Sequence, residues 1–168
     1  MSLKRPKGMR AYFKNIQDRT DGGARFETDF DQFYLCLMVG LDDGHLGKES
    51  DLEGAEFVKV YTSAYRPYAP VLAGMLVEAE MRRSGIPATK AAVQREILDI
   101  IDVSAGGTEL KEDATTLLSR YAARGFEIIQ QAIPRPQTLE DFFVAYHGFW
   151  KPTNQPDNAG EGNAAAAA

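Results

Sequence analysis

The sequence predicts an all-α protein, a compact bundle of about six helices, and three observations carry that prediction. Apolar residues recur at helical spacing in several separate stretches, Thr and Pro stand where helices would start, and Gly pairs or Pro stand where they would stop. Only one short stretch, Phe57 to Thr62, alternates as a strand does, which suits a short strand or an extended arm. With 168 residues, 44% of them apolar, residues 1–150 are expected to form a single helical domain around one core, with a basic N-terminal segment. Residues 151–168 are mostly Pro, Asn, Gly and Ala, too poor in large apolar side chains to join a core, and read as a disordered tail.

The first helix is expected from about Met9 to Arg19, with Phe13 and Ile16 inward, and stops at Asp21-Gly22-Gly23. The second begins at Thr28, whose hydroxyl suits an N-cap with Asp31 three residues on, and carries Phe30, Phe33, Tyr34, Leu37, Met38 and Leu41 on one stripe. The stretch from Asp42 to Asp51 is rich in turn-forming residues and reads as a solvated acidic loop. Pro70 suits the first turn of a third helix, Val71 to Arg83, with Leu72, Met75, Leu76 and Ala79 inward. A fourth, Pro87 to Asp102, is striped by Val93, Ile97, Ile100 and Ile101, and breaks at Ala105-Gly106-Gly107 before a cap at Thr108. The fifth, about Leu110 to Ala132, presents Leu117, Leu118, Tyr121, Gly125, Ile128 and Ile129, and ends before Pro134 and Pro136. Thr138 caps a short sixth helix containing Phe142, Phe143, Tyr146, Phe149 and Trp150.

Gly125 is out of place in a strong helix, where it costs about 1 kcal/mol relative to Ala. Close packing of another helix over it would offset that, or else it displays Arg124 to a ligand or partner. The aromatic residues of the sixth helix point to several faces at once, so they either close the core or form an interface.

The composition removes most catalytic and metal chemistries. The single cysteine, Cys36, sits among Tyr34, Leu35, Leu37 and Met38, where a buried thiol is expected, so a disulfide framework is excluded. His45 and His147 do not supply the four Cys or His ligands of a structural zinc site, and the acidic loop lacks the spacing of a calcium-binding EF-hand. Gly106-Gly107-Thr108 has no following Lys-Ser/Thr and reads as a helix break and cap, not as a phosphate loop. With no nucleophile, base and orienting group to nominate, the expectation is a protein without catalytic activity, metal or cofactor. Charges interrupt each apolar run well short of the roughly 20 residues a membrane helix needs, and a cytoplasmic setting is expected.

Net charge is −5, unevenly placed. Lys4, Arg5, Lys7, Arg10, Lys14, Arg19 and Arg25 face only Asp18 and Asp21, so the first 25 residues carry about +5 and the rest about −10. That basic segment is the candidate contact for nucleic-acid phosphates.

Gly54-x-Glu56-Phe57, followed by Thr62 and Tyr68 before a long helix, together with Arg124-Gly125 late in another, resembles the DndE family, small accessory proteins of bacterial DNA phosphorothioation systems. The likeness covers about Met9 to Gln130, including a first helix ending near Arg19-Thr20 and an apolar second helix, and it is that of a divergent member. It implies a small, helical, oligomeric protein that works beside sulfur-inserting enzymes and binds duplex or nicked DNA.

Two functions follow. In the first, the chain is a non-enzymatic accessory subunit of a DNA-modification or anti-phage defence complex and binds DNA backbone through Lys4, Arg5, Lys7, Arg10, Lys14, Arg19 and Arg25. In the second, it is a protein-binding adaptor of such a complex without DNA contact, engaging a larger enzyme through Phe143, Tyr146, Trp150 and Arg124. Both expect a homo- or hetero-oligomer.

Overall fold

The computed structural model describes residues 2–58, 61–105 and 109–150, so the expected tail and the Gly106-Gly107-Thr108 break lie outside the described residues. In order, the elements are β1 (Leu3–Pro6), α1 (Met9–Tyr12), α2 (Lys14–Gln17), α3 (Asp29–Asp43), β2 (Leu52–Val58), α4 (Ala69–Arg83), α5 (Lys90–Ile100), β3 (Ile101–Asp102), β4 (Glu109–Leu110), α6 (Glu112–Ala132) and α7 (Leu139–Tyr146), with single 3₁₀ turns between some of them.

The molecule is mostly helical, and two features of the expectation need correction. The first helix is two short pieces, α1 and α2, interrupted at Phe13, whose φ and ψ of −88° and 5° fall in the bridge region. Successive residues diverge by about 100° on a regular helix; the interruption goes with Tyr12 and Phe13 both entering the core, edge-on to each other and to Phe126 and Phe142. Tertiary packing has overridden the local period. The described residues also contain two antiparallel two-stranded sheets, β1 with β2 and β3 with β4. Strand β1 takes up Lys4 and Arg5, so part of the basic segment is a structural strand, with Lys4 opposite Glu56 in the register.

Helix α3 starts as its sequence dictates. Thr28 accepts from the Asp31 backbone N–H while Asp31 accepts from the Thr28 N–H, two otherwise unpaired donors satisfied reciprocally. Its residues Phe30, Phe33 and Leu37 are buried in the same core as Leu118, Tyr121, Phe126 and Ile129 of α6, the Phe30 and Phe33 rings lying against Phe57 of β2. The two helices meet backbone to backbone at a pair of glycines. A Cβ on Gly125 would stand 1.8 Å from the Cys36 carbonyl oxygen, and one on Gly40 would stand 1.9 Å from that of Tyr121. Gly125 therefore has the close-packing explanation.

Cross-links close the remaining edges. The Tyr12 hydroxyl donates to the Ile133 carbonyl at 2.9 Å, and that of Tyr146 donates to the Leu35 carbonyl at 2.9 Å. The stretch expected as a solvated loop is pinned to α6, because Gly47 N–H donates to the Arg120 carbonyl at 3.0 Å and Arg120 Nε returns a bond to the Gly47 carbonyl at 2.9 Å. Against this body α5 is attached more lightly, with Ile100 its only fully buried residue.

Candidate partner-binding groove

Pro70 lies in the first turn of α4, where its missing N–H costs nothing, and the helix then buries Leu72, Ala73, Leu76, Val77, Ala79 and Met81. The apolar surface of α4 does not stop at that inner face. Val71 is 58% exposed, and Tyr68 just before the helix is likewise open to solvent. Helix α5 starts at Thr89, whose hydroxyl accepts from the Ala92 N–H, and turns Val93 and Ile97 toward α4 without filling the space between them. The result is a groove of about 590 Å³ lined by Pro70, Gly74, Val77, Met81, Val93 and Ile97, among others. On the other side of α4 lies a hollow of about 390 Å³ lined by Met38, Leu41, Val71, Met75 and Trp150. Gly74, Glu78 and Arg82 border both, so the two form one apolar strip across the outside of α4.

The charges along the strip are few. Arg82 donates to the Leu41 carbonyl at the end of α3 and stands 3.7 Å from Glu78, so the border shared by the two hollows carries an ion pair. Asp42, beside the smaller hollow, is a further exposed carboxylate. Beneath the strip, Glu80 is buried and accepts from Arg83 at 2.6 Å and from the Tyr121 hydroxyl at 2.6 Å. Burial alone would push its carboxyl up; the hydrogen bonds from Arg83 and Tyr121 outweigh this and hold it below the usual carboxylate range.

The structure disperses the residues expected to bind DNA. Arg5 is only 5% exposed: its guanidinium reaches Asp29 and, at 3.1 Å, Glu53, and lies 5.2 Å from the Phe57 ring centre. A buried, doubly paired arginine is a structural residue, and it leaves the set of phosphate contacts for that reason. Arg10 also pairs with Asp29, at 2.8 Å, and that hydrogen bond raises its pKa. Lys7 Nζ donates to the Ser50 carbonyl at 2.6 Å, and Arg19 pairs with Asp21 at 2.7 Å. Lys4, Lys14 and Arg25 are exposed and make no side-chain ion pair among the described residues.

The expected partner contacts divide as well. Arg124 does not reach outward; it spans to Asp43 at 2.9 Å and Glu127 at 2.9 Å, and these bonds raise its pKa. Tyr146, 7% exposed, is a core residue, the physical reason being its hydroxyl bond to Leu35 and its contact with the fully buried Phe142. Phe143 and Trp150 remain exposed, at 45% and 40%, and Trp150 lines the strip whereas Phe143 packs beside Phe26.

Sequence reasoning missed Val71, Gly74 and Ile97 as a shared surface. Gly74 carried a usable signal, since it interrupts a strong helix as Gly125 does. Compared with protein-family models, curated proteins and solved structures, the chain has no match.

Proposed function

We propose that the chain is a non-enzymatic protein-binding adaptor that docks a larger protein on the apolar strip of α4, α5 and Trp150. The DndE-like segments support placing it in a bacterial DNA-modification or anti-phage defence complex. The observation that carries the reading is the strip itself: two apolar hollows joined across one helix, bordered by exposed Val71 and Trp150. Aromatic and aliphatic groups gathered in hollows are the surfaces from which binding hot spots are made. The competing reading, direct DNA contact, loses Arg5, which is buried against Asp29 and Glu53; Lys7, Arg10 and Arg19 are engaged by neighbouring oxygens, and Lys4, Lys14 and Arg25 are exposed without an ion pair among the described residues. Phosphate contacts from these three alone imply a log-log salt slope of about 2.7 and weak binding.

The test places a photo-crosslinking residue at Val71, in the strip, and in a second protein at Gln130, exposed on α6 and lining neither hollow. In cells of the natural host, Val71 should crosslink to one larger protein and Gln130 should not. Equal labelling from both positions, or tight binding of nicked duplex lost on replacing Lys4, Lys14 and Arg25 by Ala, would return the function to DNA contact.

A further inference from the structure

Helix α5 turns an acid toward the body where its period calls for an apolar residue. Its inner side is Ala92, Val93, Glu96 and Ile100, the i, i+1, i+4, i+8 spacing of a buried helix face, while Ile97 and Leu98 are 36% and 54% exposed. Glu96 is half-buried there and makes no hydrogen bond or ion pair among the described residues.

That acid faces charges from more than one helix. On α4, Glu80 is buried and accepts from Arg83 at 2.6 Å and from the Tyr121 hydroxyl of α6 at 2.6 Å, with Arg120 of α6 adding its charge. Glu96 lies in the field of the Glu80 carboxylate, of Asp99 on its own helix and of the Arg83 guanidinium. Arg83 attracts it; burial and the two like charges outweigh that attraction and raise the Glu96 carboxyl above its ordinary value of 4.5. The anion therefore opposes a close seating of α5, and the neutral acid does not.

The attachment of α5 gives such an opposition something to move. Its C-terminal end is tied down: the Lys111 N–H donates to the Ile100 carbonyl at 2.9 Å, Lys111 Nζ donates to the Leu98 carbonyl at 2.6 Å, and Ile101 pairs with Leu110. The helix before Ile100 has no fully buried residue and borders α4 across the groove of about 590 Å³. Glu96 stands one turn from the tied end, so a force on it pivots the helix about that end.

We propose that Glu96 sets the width of the α4–α5 groove: as an anion it holds α5 off α4 and keeps the groove open, and once protonated it lets the helix pivot inward and the groove narrow. This rests on the adaptor reading only for what the groove receives, and it makes that docking weaker in acid. The neutral form favours the seated helix fully below about pH 4.5, and that advantage is lost as pH rises through the higher folded value, the opposite sign to Glu80.

The experiment uses the full chain, with Glu96→Gln as the permanently neutral form. In an Ile97→Cys background a maleimide reports access to the groove, because Cys36, the natural thiol, is fully buried. At pH 7, adding Glu96→Gln should slow labelling at least about threefold and raise hydrogen-exchange protection of residues 90–100 by a similar factor, as a difference of about half a unit between folded and unfolded values implies. Without the added cysteine, protection corrected for intrinsic exchange should rise from pH 7 to about pH 5 in the parent and stay level in Glu96→Gln. Glu56→Gln, at an exposed acid of β2, should match the parent in both measurements. Unchanged labelling in Glu96→Gln overturns the proposal. Faster labelling or lower protection overturns it in favour of a stabilising contact with Arg83, and a pH response that survives Glu96→Gln overturns it in favour of Glu80 or Asp99. Crosslinking from Val71 reads the adaptor separately: slowed labelling without a crosslinked protein keeps the Glu96 device and removes the adaptor, and a crosslinked protein with unchanged labelling does the reverse.

Discussion

The same substitution at two helical glycines should change stability in opposite directions. In Gly125→Ala the new methyl would lie 1.8 Å from the Cys36 carbonyl oxygen and 2.6 Å from the Gly40 nitrogen. Both are backbone atoms of α3 and cannot rotate away. Restoring ordinary contact near 3.5 Å requires α3 and α6 to part by roughly 1.5 Å, and a gap of even 0.5–1 Å forfeits about a quarter to a half of each pairwise attraction. Overpacking costs about 1–3 kcal/mol and occasionally more; with rigid atoms on both sides we expect the top of that range even after the gain of about 1 kcal/mol in helix propensity. At about 2–4 °C per kcal/mol for a domain of this size, the midpoint should fall by roughly 10 °C. In Gly74→Ala the methyl meets nothing within 4 Å, so only the propensity gain remains, about 0.4–1 kcal/mol, and the midpoint should rise by roughly 2–3 °C. Thermal and urea denaturation of the two single variants decides it. A Gly125→Ala protein melting within a degree of the parent, or a Gly74→Ala protein melting below it, would refute the account of both glycines. The double variant Gly40→Ala/Gly125→Ala should lose less than the sum of its singles, because helices already parted by one methyl make room for the other.

Three further predictions concern charge and aromatic packing. Arg5→Ala leaves Asp29 and Glu53 without their buried partner; since both carboxylates are about 30% exposed, urea unfolding should show a loss of about 2–3 kcal/mol, below that of a fully buried pair. The carboxyl of Glu80 lies lower in the folded protein than its ordinary value of 4.5, so the unfolded chain binds the proton first as pH falls. Its contribution is complete above about pH 4.5 and is lost as pH falls through the lower folded value; Glu80→Gln should cost about 2 kcal/mol at pH 7 and flatten the stability profile below pH 4.5, and an unchanged acid limb would refute the assignment. Phe142→Ala should cost about 3–5 kcal/mol and Phe143→Ser no more than about 1, measured by the same unfolding, because the first side chain is fully buried and the second is not.

What the sequence disclosed was local. The start of α3 could be read from Thr28 and Asp31 because a capping box needs only four consecutive residues, and Gly125 could be read because a strong helix surrounds it. The sheet of β1 and β2 could not, since Leu3–Pro6 is too short to show a period and its partner begins at Leu52. The break at Phe13 depends on Phe26 and Phe142 arriving from elsewhere in the chain. The seven basic residues were legible as a cluster, but Asp29 and Glu53, which bind Arg5, come from two distant elements. The groove was the least legible, because Val93 and Ile97 form the same stripe whether their helix is pressed against α4 or stands off from it.

The internal use of the basic segment has a consequence for what the outside of the protein presents. Arg5 and Arg10 converge on Asp29, the first residue of α3, which already favours the positive end of that helix. Those cations therefore stitch β1 and α1 to α3 and β2, and the charge of buried Arg5 is compensated by Asp29 and Glu53, so the acidic balance of residues 26–168 is what much of the remaining surface presents. Screening limits that field to about 8 Å at physiological salt. A field of that reach acts on approach, whereas apolar contact at the strip beside α4 acts only once surfaces touch. In the proposed adaptor, charge would then set how fast a partner arrives and buried apolar area how long it stays, a division that salt-dependent association and salt-independent dissociation rates would reveal.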